Sequence, residues 1–168
     1  MEPKNTSKKI GQGMWAVAWV ILLGLLYLYF DKTVADKYNP NRALTATQSN
    51  APVVLKRNRS GHYIAPGKIN GVKVTFLLDT GATTISVPQS VADEIGLLRG
   101  HRQQVGTANG TIDVYASELD TVQLGSITLQ NIRGHINPHM EGKTVLLGMS
   151  FMRHLEMTQK GDTLTLRP

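Results

Sequence analysis

The run Met14-Trp15-Ala16-Val17-Ala18-Trp19-Val20-Ile21-Leu22-Leu23-Gly24-Leu25-Leu26-Tyr27-Leu28-Tyr29-Phe30 contains no charged side chain, and it divides the chain in two before anything else is read. As a helix at ~1.5 Å per residue it spans about 25 Å, and residues 10–13 bring it close to the ~30 Å of a bilayer core. Aromatic rings sit toward both ends, Trp15 and Trp19 before and Tyr27, Tyr29 and Phe30 after, where membrane interfaces favour them. A buried core helix would need a domain folded around it, and the residues that follow read as a tether. A cleaved signal peptide competes, but Thr33-Val34-Ala35 is a poor small-x-small site and the apolar run is longer than the usual signal core of about 7 to 15. The expectation is a single transmembrane helix over 14–30, in contact with membrane lipid. Lys4, Lys8 and Lys9 precede it, whereas Asp31, Lys32, Asp36 and Lys37 cancel after it, so residues 1–13 should stay cytoplasmic and the remainder be exported.

Charge is distributed just as unevenly. The 18 basic and 12 acidic residues leave a net +6, yet residues 1–60 hold nine basic and three acidic side chains and residues 61–168 hold nine of each. The excess therefore lies outside the expected globular part, and a nucleic-acid partner has no support from bulk charge. The absence of Cys excludes disulfides, thiolate nucleophiles and sulfur-ligated metals. Residues 31–60, rich in Asn, Thr, Ala, Lys and Arg with little apolar periodicity, read as a flexible tether.

From Gly61 the pattern changes to short apolar-alternating runs punctuated by Asn70-Gly71, Asn109-Gly110, Gly125-Ser126 and Lys160-Gly161-Asp162. Strands are predicted over 62–69, 72–78, 84–87, 102–108, 111–124, 127–132, 144–147, 155–159 and 163–166. Short helices are predicted over 88–95, opened by Pro88 and closed by Gly96, and over 149–154. Residues 61–168 thus form an all-β domain.

Within that domain Leu77-Leu78-Asp79-Thr80-Gly81-Ala82-Thr83-Thr84 drives an apolar strand straight into an acid and then resumes as strand. A carboxylate brought toward the interior is costly unless it is hydrogen-bonded or shares a proton. Gly81 lets the backbone turn back and present its amide to that carboxylate. By itself Asp-Thr-Gly is a common turn. Two further features, placed in order after it, give it weight. The first is the hairpin signal Thr107-Ala108-Asn109-Gly110-Thr111, flanked by long strands. The second is Val145-Leu146-Leu147-Gly148-Met149-Ser150-Phe151-Met152, an apolar strand ended by glycine and continued by a short apolar helix.

In motif, order, spacing and domain length the segment from Gly61 to Pro168 resembles the retropepsin-like aspartic proteases, and especially bacterial single-domain members with an N-terminal membrane anchor. The resemblance implies a retropepsin-like acid-protease barrel with one lobe per chain. It implies Asp79 as the catalytic residue in an active-site loop with Thr80, Gly81 and Ala82, a flap at Ala108, Asn109 and Gly110, apolar substrate pockets near Val145 and Leu146, and loop support from Leu147 and Gly148. It also implies a bacterial inner-membrane protein with its protease domain in the periplasm. Three departures stand out: Thr83 and Thr84 replace the acids usual in retroviral members, Met149 stands where Arg is common, and the flap has a single glycine.

Hydrolysis of an amide by carboxylates alone needs two, one ionised to take a proton from water and one protonated to polarise the carbonyl. One Asp-Thr-Gly in a chain of this length points to a homodimer, with Asp79 of a second copy completing the site on a protein or peptide substrate. The resemblance further implies that Thr80 steadies the two loops across the dimer. Ala82 stands in place of a Ser donor of pepsin-like enzymes, which shifts the expected activity optimum toward neutral. No cofactor and no metal are expected: His135 and His139 are separated by Asn137-Pro138, and His62, His101 and His154 are scattered. Serine-hydrolase, zincin and P-loop motifs are lacking. The competing class is an inactive membrane-tethered β-barrel serving binding or structure.

Overall fold

The computed structural model describes residues 6–45, 49–107 and 110–168. The N-terminal unit, residues 1–37, is built on one helix, α1 (Thr6–Tyr38), whose last residue begins the second unit, residues 38–168. The 18-residue window Gly13–Phe30 has a mean hydropathy of 1.9 and none of it is buried, so length and composition make it a helix able to cross a membrane.

The second unit takes its form from strands whose inward residues alternate. In chain order they are β1 (Val53–Lys56), β2 (Tyr63–Ile69), β3 (Val72–Leu78), β4 (Ile85–Pro88), β5 (Arg102–Thr107), β6 (Gly110–Leu124), β7 (Ile127–Asn137), β8 (Thr144–Leu147), β9 (Glu156–Lys160) and β10 (Thr163–Arg167). Two short helices, α2 (Gln89–Ile95) and α3 (Met149–Met152), interrupt them. The main sheet runs β2-β3-β8-β4-β7-β6-β5, and β6 also pairs with β2 through Gly67↔Leu124, Lys68↔Gln123 and Ile69↔Val122. Six strands thereby close into a barrel, and β5 stays outside it, paired to β6 alone. The second sheet, β1-β10-β9, is separate. Phe76, Ile85, Leu119, Leu124, Ile136, Leu147 and Phe151 are fully buried and form the centre of the core.

Local chemistry explains the turns. Asn70 and Gly71 both have positive φ, 49° and 83°, which a two-residue hairpin between β2 and β3 requires and which Asn and Gly tolerate best. Gly96 closes α2 in the left-handed region, its amide donating to Ala92 O at 2.9 Å.

Two sequence expectations are corrected. Residues 31–60 are not a bare tether: α1 runs on to Tyr38, and β1 pairs with β10 from Val53↔Leu166 to Lys56↔Thr163, burying Val53 and Leu55. Asn41 is buried as well. Its Nδ2 donates to Lys56 O at 2.9 Å and Ile64 O at 2.8 Å, and its Oδ1 accepts from Lys56 N at 2.7 Å. Polar composition concealed this because a single Asn satisfies three backbone groups that burial would otherwise leave unpaired. The strand expected to stop at Ile132 continues to Asn137. Gly134 looks like a break, but a Cβ there would stand 2.8 Å from Leu119 Cδ1 and 3.0 Å from Ile85 O, so glycine permits the close approach of β4 to β7.

Candidate active site

The site is set by the way β8 lies between β3 and β4. β3 runs parallel to β8, Leu78 level with Leu147, while β4 meets β8 antiparallel at Ser86↔Leu146. The chain leaving β3 must therefore arch over the end of β8 before returning as β4, and residues 79–84 are that arch. Asp79 N donates to Leu147 O at 3.1 Å, Met149 N to Ala82 O at 2.8 Å and Ser150 N to Thr83 O at 2.9 Å. The arch presses on Gly148 so closely that a Cβ there would stand 2.6 Å from Ala82 O and nearer still to Thr84 O. Only glycine fits beneath it.

Within the arch, Gly81 N donates to Asp79 Oδ1 at 2.8 Å, and Ala82 N to Asp79 O at 3.2 Å. This fixes one carboxylate oxygen and leaves Oδ2 without a hydrogen bond among the described residues. Asp79 and Ala82 are half-buried, whereas Thr80, Gly81 and Thr83 are exposed. In a single chain the loop is thus less desolvated than an apolar strand leading into it implies. Asp79 and Thr80 border a cleft of about 400 Å³ together with Tyr63, Leu78, Met152 and Met157, and among the described residues Asp79 is the only carboxylate lining it.

The returning half of the arch is held by groups that sequence reasoning did not single out. Ser150, buried in α3, accepts from Ile85 N at 3.1 Å and donates to Arg133 O at 2.7 Å, tying α3 to β4 and β7. The signal for it was a lone hydroxyl in the otherwise apolar run from Val145 to Met152. His135, buried in β7, shares a hydrogen bond of 2.9 Å between its Nδ1 and Thr84 Oγ1. Burial pushes its imidazole below the ordinary 6.5. Among the described residues no cluster of three or more His, Cys, Asp or Glu stands ready for a metal ion.

Of the remaining expected residues, Leu147 and Gly148 lie directly beneath the arch. Leu146 is half-exposed, but Val145 is wholly buried in the core and cannot line a pocket open to substrate. The reason is the period of two along a strand, which sends adjacent side chains to opposite faces. Ala108 and Asn109 lie outside the described residues. Gly110 begins β6 opposite Thr107 with φ 114°, and Thr107 Oγ1 donates to its carbonyl at 2.8 Å. The β5–β6 hairpin also carries an Arg102–Asp113 ion pair, whose hydrogen bond holds the Asp113 carboxyl below the usual carboxylate range.

Comparison with known proteins agrees with this architecture. The family profile described as "gag-polyprotein putative aspartyl protease" matches residues 65–154. An uncharacterized protein in the cobV 5' region of Sinorhizobium sp is 30% identical, over 95% of this chain and 75% of its own length. An uncharacterized protein of Rickettsia prowazekii (strain Madrid E) is 26% identical, over 85% of this chain and 64% of its own length. Among solved structures, a retropepsin-like aspartic protease from Rickettsia conorii superposes with a TM-score of 0.58 at 27% identity, covering 69% of this chain and 88% of that one. A closed six-stranded barrel that delivers Asp-Thr-Gly over a supporting glycine, joined to a profile match across more than half its length, places this chain in the gag-polyprotein aspartyl protease family, with the retropepsin-like fold.

Proposed function

We propose that this chain is a membrane-anchored aspartic endopeptidase whose site forms between two copies, each supplying Asp79. The observation that carries this reading is the single carboxylate on an exposed, rigidly supported arch. Among the described residues Asp79 has one oxygen fixed by Gly81 and one free, and no second acid lines its cleft. Two such carboxylates a few ångströms apart cannot both ionise, so the pair shares one proton. The ionised member takes a proton from a water held between them while the protonated one polarises the scissile carbonyl. Thr80, exposed beside Asp79, steadies the arch of the partner copy. The β5–β6 hairpins close over an extended peptide paired as an added strand, with an apolar side chain against Leu146.

In this reading α1 anchors the chain in a bacterial inner membrane, with its N-terminus cytoplasmic and residues 38–168 periplasmic, and confinement to one plane raises the effective concentration for pairing. The test uses the full chain in detergent or nanodiscs against a denatured protein substrate. Asp79→Asn should abolish cleavage while the fold persists, because the amide is nearly isosteric with the carboxylate but cannot accept the water's proton. A large excess of Asp79→Asn chains should silence wild-type chains by forming mixed pairs. Undiminished wild-type activity in that mixture would refute the shared site, and full activity of Asp79→Asn alone would refute the aspartate mechanism.

A further inference from the structure

The β2–β3 hairpin contains a pairing that its own fold does not explain. Lys68 and Lys73 are direct cross-strand partners, both exposed, and like charges placed opposite one another in a sheet are destabilising. Neither forms an ion pair or hydrogen bond among the described residues. Glu94, which shares an adjoining cleft with Lys73, is taken by Lys143 Nζ at 3.5 Å.

Both lysines line a second cleft of about 390 Å³, together with Arg42, Thr45, Gly67 and Gln123. Among the described residues no carboxylate lines it, so its charged groups are all cationic, set beside neutral polar and apolar ones. A Cβ at Gly67 would collide with Gln123 O and the ring of the buried Phe76, so glycine there lets β2 lie close against the core and β6 beside the cleft. Because the folded unit begins at Tyr38, it gains Arg42, Lys56, Arg57 and Arg59 over the balanced nine and nine of residues 61–168, and it carries thirteen basic groups against nine acidic.

Arg42 lies a short way along the chain from Phe30, the end of the apolar window, and the intervening residues are helical as far as Tyr38. At ~1.5 Å per helical residue and ~3.5 Å per extended one, that chain reaches at most roughly 26 Å. If α1 spans a bilayer, a cationic cleft on so short a leash is within reach of its headgroups.

We propose that this cleft holds the phosphate of an anionic phospholipid headgroup from the membrane in which the chain is anchored, setting how the protease domain stands over the lipid. The inference rests on the anchor reading of α1. It requires no residue of the catalytic arch.

The full chain is placed in nanodiscs of phosphatidylcholine alone or mixed with phosphatidylglycerol, and the rate at which an amine-reactive reagent labels each lysine is read by mass spectrometry. Labelling of Lys68 and Lys73 should fall about five-fold or more in the anionic discs, consistent with the weight of one basic side chain at a charged surface. Lys160, exposed on β9, should label equally in both. Raising the salt should restore labelling, since the contact is screened. Equal labelling of Lys68 and Lys73 in both discs would overturn the proposal. Protection in phosphatidylcholine discs on adding inorganic phosphate, without further protection from phosphatidylglycerol, would assign the cleft to a soluble anion and overturn the lipid source. A chain that fails to co-elute with either disc would refute the anchor itself, and the headgroup contact with it.

Discussion

Gly148→Ala is the substitution with the most to say about how the arch is held. The added methyl would sit 2.6 Å from Ala82 O and closer to Thr84 O, both backbone atoms that cannot swing aside as a side chain can. An ordinary carbon–oxygen contact needs about 3.2 Å or more, so the arch or α3 must move by on the order of 1 Å. That displacement falls on three hydrogen bonds, Met149 N to Ala82 O, Ser150 N to Thr83 O and Ile85 N to Ser150 Oγ. With about 1 kcal/mol for each bond lost and about 1–3 kcal/mol for overpacking, the variant should lose roughly 4–6 kcal/mol, a large part of a typical domain's stability. Peptide cleavage should fall about 100-fold even where the fold survives, because an ångström of misplacement at reacting groups has that effect. Urea denaturation of the full chain in detergent measures the first effect and initial cleavage rates the second. Gly106→Ala is the control for the denaturation, since nothing lies within 4 Å of a Cβ there. A Gly148→Ala variant within about 1 kcal/mol of wild type would show that the arch does not bear on this glycine as described.

Other positions give independent tests. Asn41→Ala should lose about 2–3 kcal/mol, as three hydrogen bonds to buried and part-buried backbone vanish, and a truncation starting at Gly61, which removes β1, should unfold at lower urea than one starting at Tyr38; equal midpoints would return residues 38–60 to the role of a linker. Ser150→Ala removes its bonds to Ile85 N and Arg133 O and should cost about 1–3 kcal/mol, read by the same denaturation. The pH dependence of stability should contain a His135 component: because burial lowers its folded-state value below the 6.5 of the unfolded chain, the unfolded state binds the proton more readily. The stability His135 contributes is therefore complete above about 6.5 and is lost as pH falls through the folded value, and His135→Gln should remove that part of the slope. A variant with an unchanged pH profile would count against it.

The sequence alone carried the strand–loop–strand logic of the Asp79 arch, because a costly acid at the end of an apolar strand, a glycine two residues on and a glycine-ended apolar strand are all local patterns. It carried the Asn70-Gly71 hairpin and the Gly96 cap for the same reason, since each depends on the φ that one residue tolerates. The apolar helix was legible from length and hydropathy without any reference to neighbours. What lies between distant residues was not legible. That β8 inserts between β3 and β4, so that Gly148 lies beneath the carbonyls of residues 82 and 84, follows only from strand order in the closed sheet. Strand period puts Val145 and Leu146 on opposite faces, but only packing decides that Val145 faces the core. Tertiary contact likewise turned Asn41 and Val53–Lys56 from polar linker into part of the folded unit, and paired Thr84 with His135 across 51 positions of chain. Composition measures what a segment prefers in water; whether a polar side chain is buried depends on the unpaired backbone groups that the rest of the fold brings to it.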